Sequence, residues 1–95
     1  MVNEMQYKQN PDFIYRKIVD ESVLVPIHRD VANMDSIYTL NSLGAFIWEH
    51  LSTPATQAHL KAAILEEYEA DPEVLSADLV RFLGEMTTIG ALQEA

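Results

Sequence analysis

Hydrophobic positions along the chain change their spacing once, just after Leu40. Before that point they cluster in short runs. "FIYRKIV" (13–19) is rich in β-branched and aromatic residues, as a strand requires. Asp20-Glu21-Ser22 breaks it, and "VLVPIH" (23–28) reads as a second strand. Pro26 has no N–H to give to a ladder, so this strand has a bulge or a free edge there. "RDVANMD" (29–35) is a polar connection with Asn33 as its turn residue. "SIYTL" (36–40) alternates: Ser36, Tyr38 and Leu40 face one way, Ile37 and Thr39 the other. Three short strands separated by turns predict an antiparallel meander.

After Leu40 the period becomes helical. Asn41 or Ser42 supplies a side-chain oxygen for capping. Leu43, Phe46, Ile47 and Leu51 then follow at spacings of three and four, with Trp48 beside them. Ser52-Thr53-Pro54 ends this helix. Thr56 caps the next, with Thr53 before Pro54 as a rival start. Leu60, Ala63, Ile64 and Tyr68 line one face of that second helix. Asp71-Pro72 opens a third, because proline loses nothing at the first helical position. Leu75, Leu79, Phe82, Leu83, Met86 and Ile89 form its stripe, and Gly90 is its natural stop.

Strands followed by helices predict an α+β fold, a three-stranded antiparallel sheet and then three helices, rather than a parallel α/β sheet. The helices cover one face of the sheet and leave the other face, or an edge, open. Residues 1–12 are polar and end in Asn10-Pro11-Asp12, which reads as a flexible N-terminal segment and a turn. Residues 13–92 are then one domain, the default for a chain of 95 residues.

Charge narrows the partners. Fifteen acidic residues against six basic ones give a net charge of −9. Nucleic acid needs clustered lysine and arginine to neutralise phosphates. Lys8, Arg16, Lys17, Arg29, Lys61 and Arg81 are scattered instead, so no nucleic-acid partner is expected. No apolar run reaches the length of a membrane span, and "MVNEMQYKQNPDF" lacks the order of a secretion signal. No membrane partner is expected, and the cytoplasm is the expected location. The chain has no cysteine, which excludes a disulfide scaffold, thiolate zinc and a cysteine nucleophile.

Candidate chemistry is sparse. His28, His50 and His59 do not have the i, i+4 spacing of a helical metal pair. The acidic run Glu66, Glu67, Glu69, Asp71 and Glu73 lacks the glycine-centred loop of a calcium hand and reads as a solvated face near a helix start. Gly44, Gly84 and Gly90 are too far apart to cradle a phosphate. Tyr38 and Trp48 read as packing residues rather than base-stacking platforms. A non-enzymatic protein without cofactor or metal is expected.

Several segments occur in a telling order: "VLVPI" (23–27), "LNSLGAFIWEHL" (40–51), "LKAAILEEYEAD" (60–71), "DLVRFLGEM" (78–86) and "IGAL" (89–92). Together they resemble the PqqD family, coenzyme PQQ synthesis protein D. The resemblance rests on Leu40-Asn41, Trp48-Glu49-His50-Leu51, Tyr68 and Asp78-Leu79-Val80-Arg81-Phe82-Leu83, and spans about residues 13–92. It implies a small winged helix-turn-helix-like domain that acts as a peptide chaperone, or recognition element, for ribosomally made and later modified peptides. Such a domain holds the leader of a precursor peptide and presents the core to a modifying enzyme. In PQQ synthesis that enzyme is a radical S-adenosylmethionine protein. Many members carry Pro-Glu-Gly after the second strand, whereas Pro26 is followed here by Ile27-His28, so the pathway stays open.

The resemblance also implies a site. The leader is held as an added strand on the third strand, at Asp35, Ser36, Ile37, Tyr38 and Thr39. The other wall is the third helix, where Leu75, Leu79 and Phe82 give apolar contact and Asp78 and Arg81 set register. Plain core packing for the apolar three, and a solvated pair for Asp78 and Arg81, are the competing readings. Strand addition has a physical basis, since an unpaired edge presents N–H and C=O groups to another chain. The same edge allows a monomer or a weak dimer. The rival function is a winged-helix regulatory or protein–protein interaction domain without a leader ligand.

Overall fold

The computed structural model describes residues 5–27 and 37–95. His28, the connection at 29–35 and Ser36 lie outside the described residues, and so do Asp35 and Ser36 of the expected site. Strand β1 (Gln6–Gln9) precedes β2 (Phe13–Ile18), β3 (Glu21–Pro26) and β4 (Tyr38–Leu40). Helix α1 (Ser42–His50), the short β5 (Ala55–Thr56), α2 (Gln57–Glu67), α3 (Pro72–Thr88) and β6 (Leu92–Glu94) follow. The fold is α+β: an antiparallel sheet β2-β3-β4, then three helices.

Residues 6–9 correct the expectation of a loose N-terminal segment. They form β1, the centre of a second three-stranded sheet in the order β5-β1-β6. "QYKQ" carries little β-propensity of its own. Its partners come from residues 55–56 and 92–94, which a local reading cannot see. Side chains tie it down: Gln9 Nε2 donates to the Trp48 carbonyl (2.7 Å) and Asn10 Nδ2 to the Gly90 carbonyl (2.6 Å).

The turn between β2 and β3 is also tighter than expected. It consists of Val19 and Asp20, and Glu21 and Ser22 already pair with Ile18 and Lys17. The helix boundaries follow their caps. Thr56 Oγ1 accepts the His59 N–H at 3.1 Å, and Asp71 Oδ1 accepts from Glu73 and Val74 ahead of Pro72. Helix α3 stops where Gly90 takes φ +91°, a conformation open to glycine.

The core lies between the helices and the inner face of the β2-β3-β4 sheet. Leu24, Leu40, Ile47, Trp48, Leu60, Ile64, Leu75, Leu79, Leu83 and Leu92 are all buried in one cluster. Trp48 is 3% exposed, as its packing role requires. The tilted Tyr15 ring lies 6.4 Å from it, and the Tyr15 hydroxyl reaches Glu49 of α1 at 2.9 Å. These contacts fasten the sheet onto α1. On the outer face Ile14, Arg16, Ile18 and Thr39 meet solvent.

Candidate functional site

Strand β4 is three residues long and sits at the end of its sheet. It pairs with β3 through Ser22↔Leu40, Val23↔Thr39 and Leu24↔Tyr38. Among the described residues no strand covers its other side. Leu40 is buried in the core, and Asn41 immediately turns the chain into α1. Asn41 Oδ1 accepts the Gly44 N–H at 2.7 Å, so the end of the strand is clamped to the first turn of the helix.

Two hollows flank α3 beside this edge. The first, about 220 Å³, is lined by Leu75, Asp78, Leu79, Arg81 and Phe82 from α3, with Asn41, Leu43, Gly44 and Ile47 opposite. Its floor is buried leucine and its rim is charged. Arg81 donates to Asp78 Oδ1 at 3.0 Å across an exposed i, i+3 pair, and Glu85 stands one turn beyond Arg81. The second hollow is broader, about 540 Å³, and lies between Tyr38 of β4 and the C-terminal half of α3. Val80, Gly84, Met86, Thr88 and Ile89 give it a mostly apolar wall. Arg81 and Glu85 line both hollows, which therefore adjoin.

The residues singled out from sequence separate as follows. Leu75, Asp78, Leu79, Arg81 and Phe82 meet in the first hollow, and Tyr38 joins Arg81 in the second. Leu75 and Leu79 are also core residues, so each serves the packing and the hollow floor together. Ile37 and Thr39 are exposed and line neither hollow. Sequence reasoning passed over Val80, Gly84, Glu85 and Thr88. Glu85 was within reach, because Asp78, Arg81 and Glu85 recur at spacings of three and four on one side of the helix. Val80, Gly84 and Thr88 carry no such signal, since they lie off the apolar stripe.

Among the described residues no group of three or more His, Asp or Glu side chains is placed to hold a metal ion. No described helix is long and apolar enough to cross a membrane. His50 Nδ1 lies 3.0 Å from the Phe46 carbonyl, with its ring against that of Phe46, which is a local helix contact. The run from Glu66 to Glu73 is exposed, and its Asp71 is the α3 cap.

Two solved structures share this fold. A structure of TbiB1 in complex with the TbiA(beta) leader peptide superposes with a TM-score of 0.75 at 24% identity, covering 90% of this chain and 94% of that one. A lasso peptide synthetase B1 complexed with the leader peptide superposes with the same TM-score, 0.75, at 16% identity over 92% and 96% of the two chains. Among curated protein sequences none matches significantly. Residues 21–92 match the family described as coenzyme PQQ synthesis protein D (PqqD), a span running from β3 to the start of β6. The chain belongs to the PqqD family.

Proposed function

We propose that this protein is a non-catalytic recognition element for the leader of a ribosomally made precursor peptide. The leader adds as a strand to the open edge of β4, and its inward side chains enter the trough beside α3. The observation that carries this reading is the pairing of a strand edge that no other described strand covers with an adjoining apolar cleft along one helix. Backbone bonds to the edge supply affinity, and the cleft supplies choice. The β4 edge is clamped at Asn41 and backed by Leu40 in the core, so little ordering is left to the binding step.

The two solved structures of similar fold, each a complex with a leader peptide, support the same reading. Asp35 and Ser36 belong to the same proposed site, and Ile37, Tyr38 and Thr39 contribute mainly backbone. Leu75, Leu79 and Phe82 offer the apolar floor. Asp78 and Glu85 outnumber Arg81 at the rim, which favours a basic leader residue there. The partner of the complex is a modifying enzyme, a radical S-adenosylmethionine protein if the pathway is of the PQQ type. The protein works in the cytoplasm as a monomer or weak dimer.

The test is a titration of ¹⁵N-labelled protein with synthetic leaders from the short precursor peptides encoded beside its gene. Saturable amide shifts concentrated in residues 37–40 and 75–89 are expected. Absence of saturable shifts with every leader, at low salt and with the adjacent modifying enzyme present, overturns the reading.

A further inference from the structure

Gly84 sits in the interior of a 17-residue helix, where glycine is less favourable than almost any other residue. No described residue requires it there. It is exposed, and beyond its own helix backbone a Cβ built on it would have no described heavy atom within 4 Å. Gly44 differs sharply, because its Cβ would come within 3.2 Å of both Asn41 Oδ1 and Phe82 Cε1. The helix therefore carries an unfavourable residue for which no contact among the described residues accounts.

That bare patch of backbone lies in the broader cleft, opposite Tyr38. Val80 and Thr88, one turn to either side, share its face of the helix. Val80 is 56% exposed, an uncovered β-branched side chain beside the gap. Met86 and Ile89 continue the apolar wall. The wall thus has a notch at Gly84 with apolar shoulders.

We propose that Gly84 is a specificity-determining residue: its missing side chain forms a subsite that seats one bulky aliphatic or aromatic side chain of the bound peptide directly against the α3 backbone. This rests on the leader-binding reading. A strand on β4 directs every second side chain toward α3, so a single apolar leader residue can reach the notch. Any side chain at position 84 would stand where that residue packs.

The experiment compares wild type, Gly84→Ala and Gly84→Leu by calorimetric titration with the leader encoded beside the gene, and with alanine variants at each of its apolar positions. Both substitutions raise helix propensity, so Tm is expected to rise by roughly 4–8 °C for alanine. Leader affinity is expected to move the other way, falling about 5-fold or more for alanine and further for leucine, the range that overpacking costs. One leader position alone should be coupled to residue 84: its alanine variant binds poorly to wild type and loses little more on Gly84→Leu. If Gly84→Leu binds the native leader as tightly as wild type does, or weakens every leader variant equally, the subsite is wrong while leader binding stands. If wild type binds no leader, the leader-binding reading falls, and the subsite with it.

Discussion

Asn41 Oδ1 accepts the backbone N–H of Gly44 at 2.7 Å, one residue beyond the end of β4. This bond caps α1 directly after the edge strand. Asn41→Ala removes it and is expected to cost about 1 kcal/mol of stability in urea unfolding. Asn41→Asp and Asn41→Ser keep an acceptor and should stay within a few tenths of a kcal/mol of wild type. Equal loss in all three variants would show that the cap is not what Asn41 contributes. Because Asn41 also lines the first hollow, the alanine variant should weaken leader binding beyond its effect on stability.

Ser22 is the buried polar residue of the described core, and the Tyr15 hydroxyl lies 3.2 Å from its Oγ. Tyr15 also donates to Glu49 Oε2, so one hydroxyl joins β2, β3 and α1. Tyr15→Phe leaves the Ser22 hydroxyl without this partner and is expected to cost roughly 1–2 kcal/mol. Ser22→Ala in the same protein removes the stranded group. The double variant should therefore be more stable than the sum of the two single losses by at least about 0.5 kcal/mol. Strict additivity would mean that the Tyr15 contribution runs through Glu49 or through ring packing against Trp48 instead.

These residues also show what local sequence can and cannot reveal. Asp71-Pro72 announced its helix start outright, and the structure chose Asn41 over Ser42 and Thr56 over Thr53 for the other two, because capping is chemistry confined to a few neighbouring residues. The apolar stripe from Leu75 to Met86 was equally plain, as burial on one helix face imposes its own period. Strand β1 was not legible, since its ladder bonds go to residues about fifty and more than eighty positions away. The hollows lay between these cases. Their floor is the core stripe itself, but their upper wall is set by how α3 is turned toward Tyr38. That orientation is a consequence of packing and has no periodic signature.

Val19 stands at the tip of the β2–β3 hairpin with φ +53°, and it is 87% exposed. A β-branched residue is strained in this region, and the exposed side chain gains almost no burial in return. Val19→Gly relieves the clash but adds unfolded-state freedom, so the net gain is expected to be modest, about 0.5–1 kcal/mol. Val19→Asn should stabilise by a similar amount, because asparagine tolerates the left-handed region. Thermal unfolding of both variants checks this. A lower Tm in either would show that the Val19 side chain makes a contact worth more than its strain.

The edge of β4 gives a prediction with internal contrast. Along an antiparallel strand, successive N–H groups point alternately toward the neighbouring strand and away from it. Tyr38 and Thr39 are adjacent, so one of them donates toward β3 and the other toward the open side. Proline removes that donor in either case. One of Tyr38→Pro and Thr39→Pro should therefore break the ladder and lower stability by about 1–3 kcal/mol through a lost and partly unsatisfied bond. The other should leave the β3 ladder intact, lose less stability, and cut leader affinity about 10-fold. Tyr38→Ala and Thr39→Ala separate the backbone effect from the side chain; Thr39→Ala should bind like wild type, since Thr39 lines neither hollow. Urea unfolding and leader titration on the same four proteins read both quantities. If neither proline variant loses affinity beyond its loss of folded protein, the peptide does not pair with β4, and its contacts must come from the α3 trough alone.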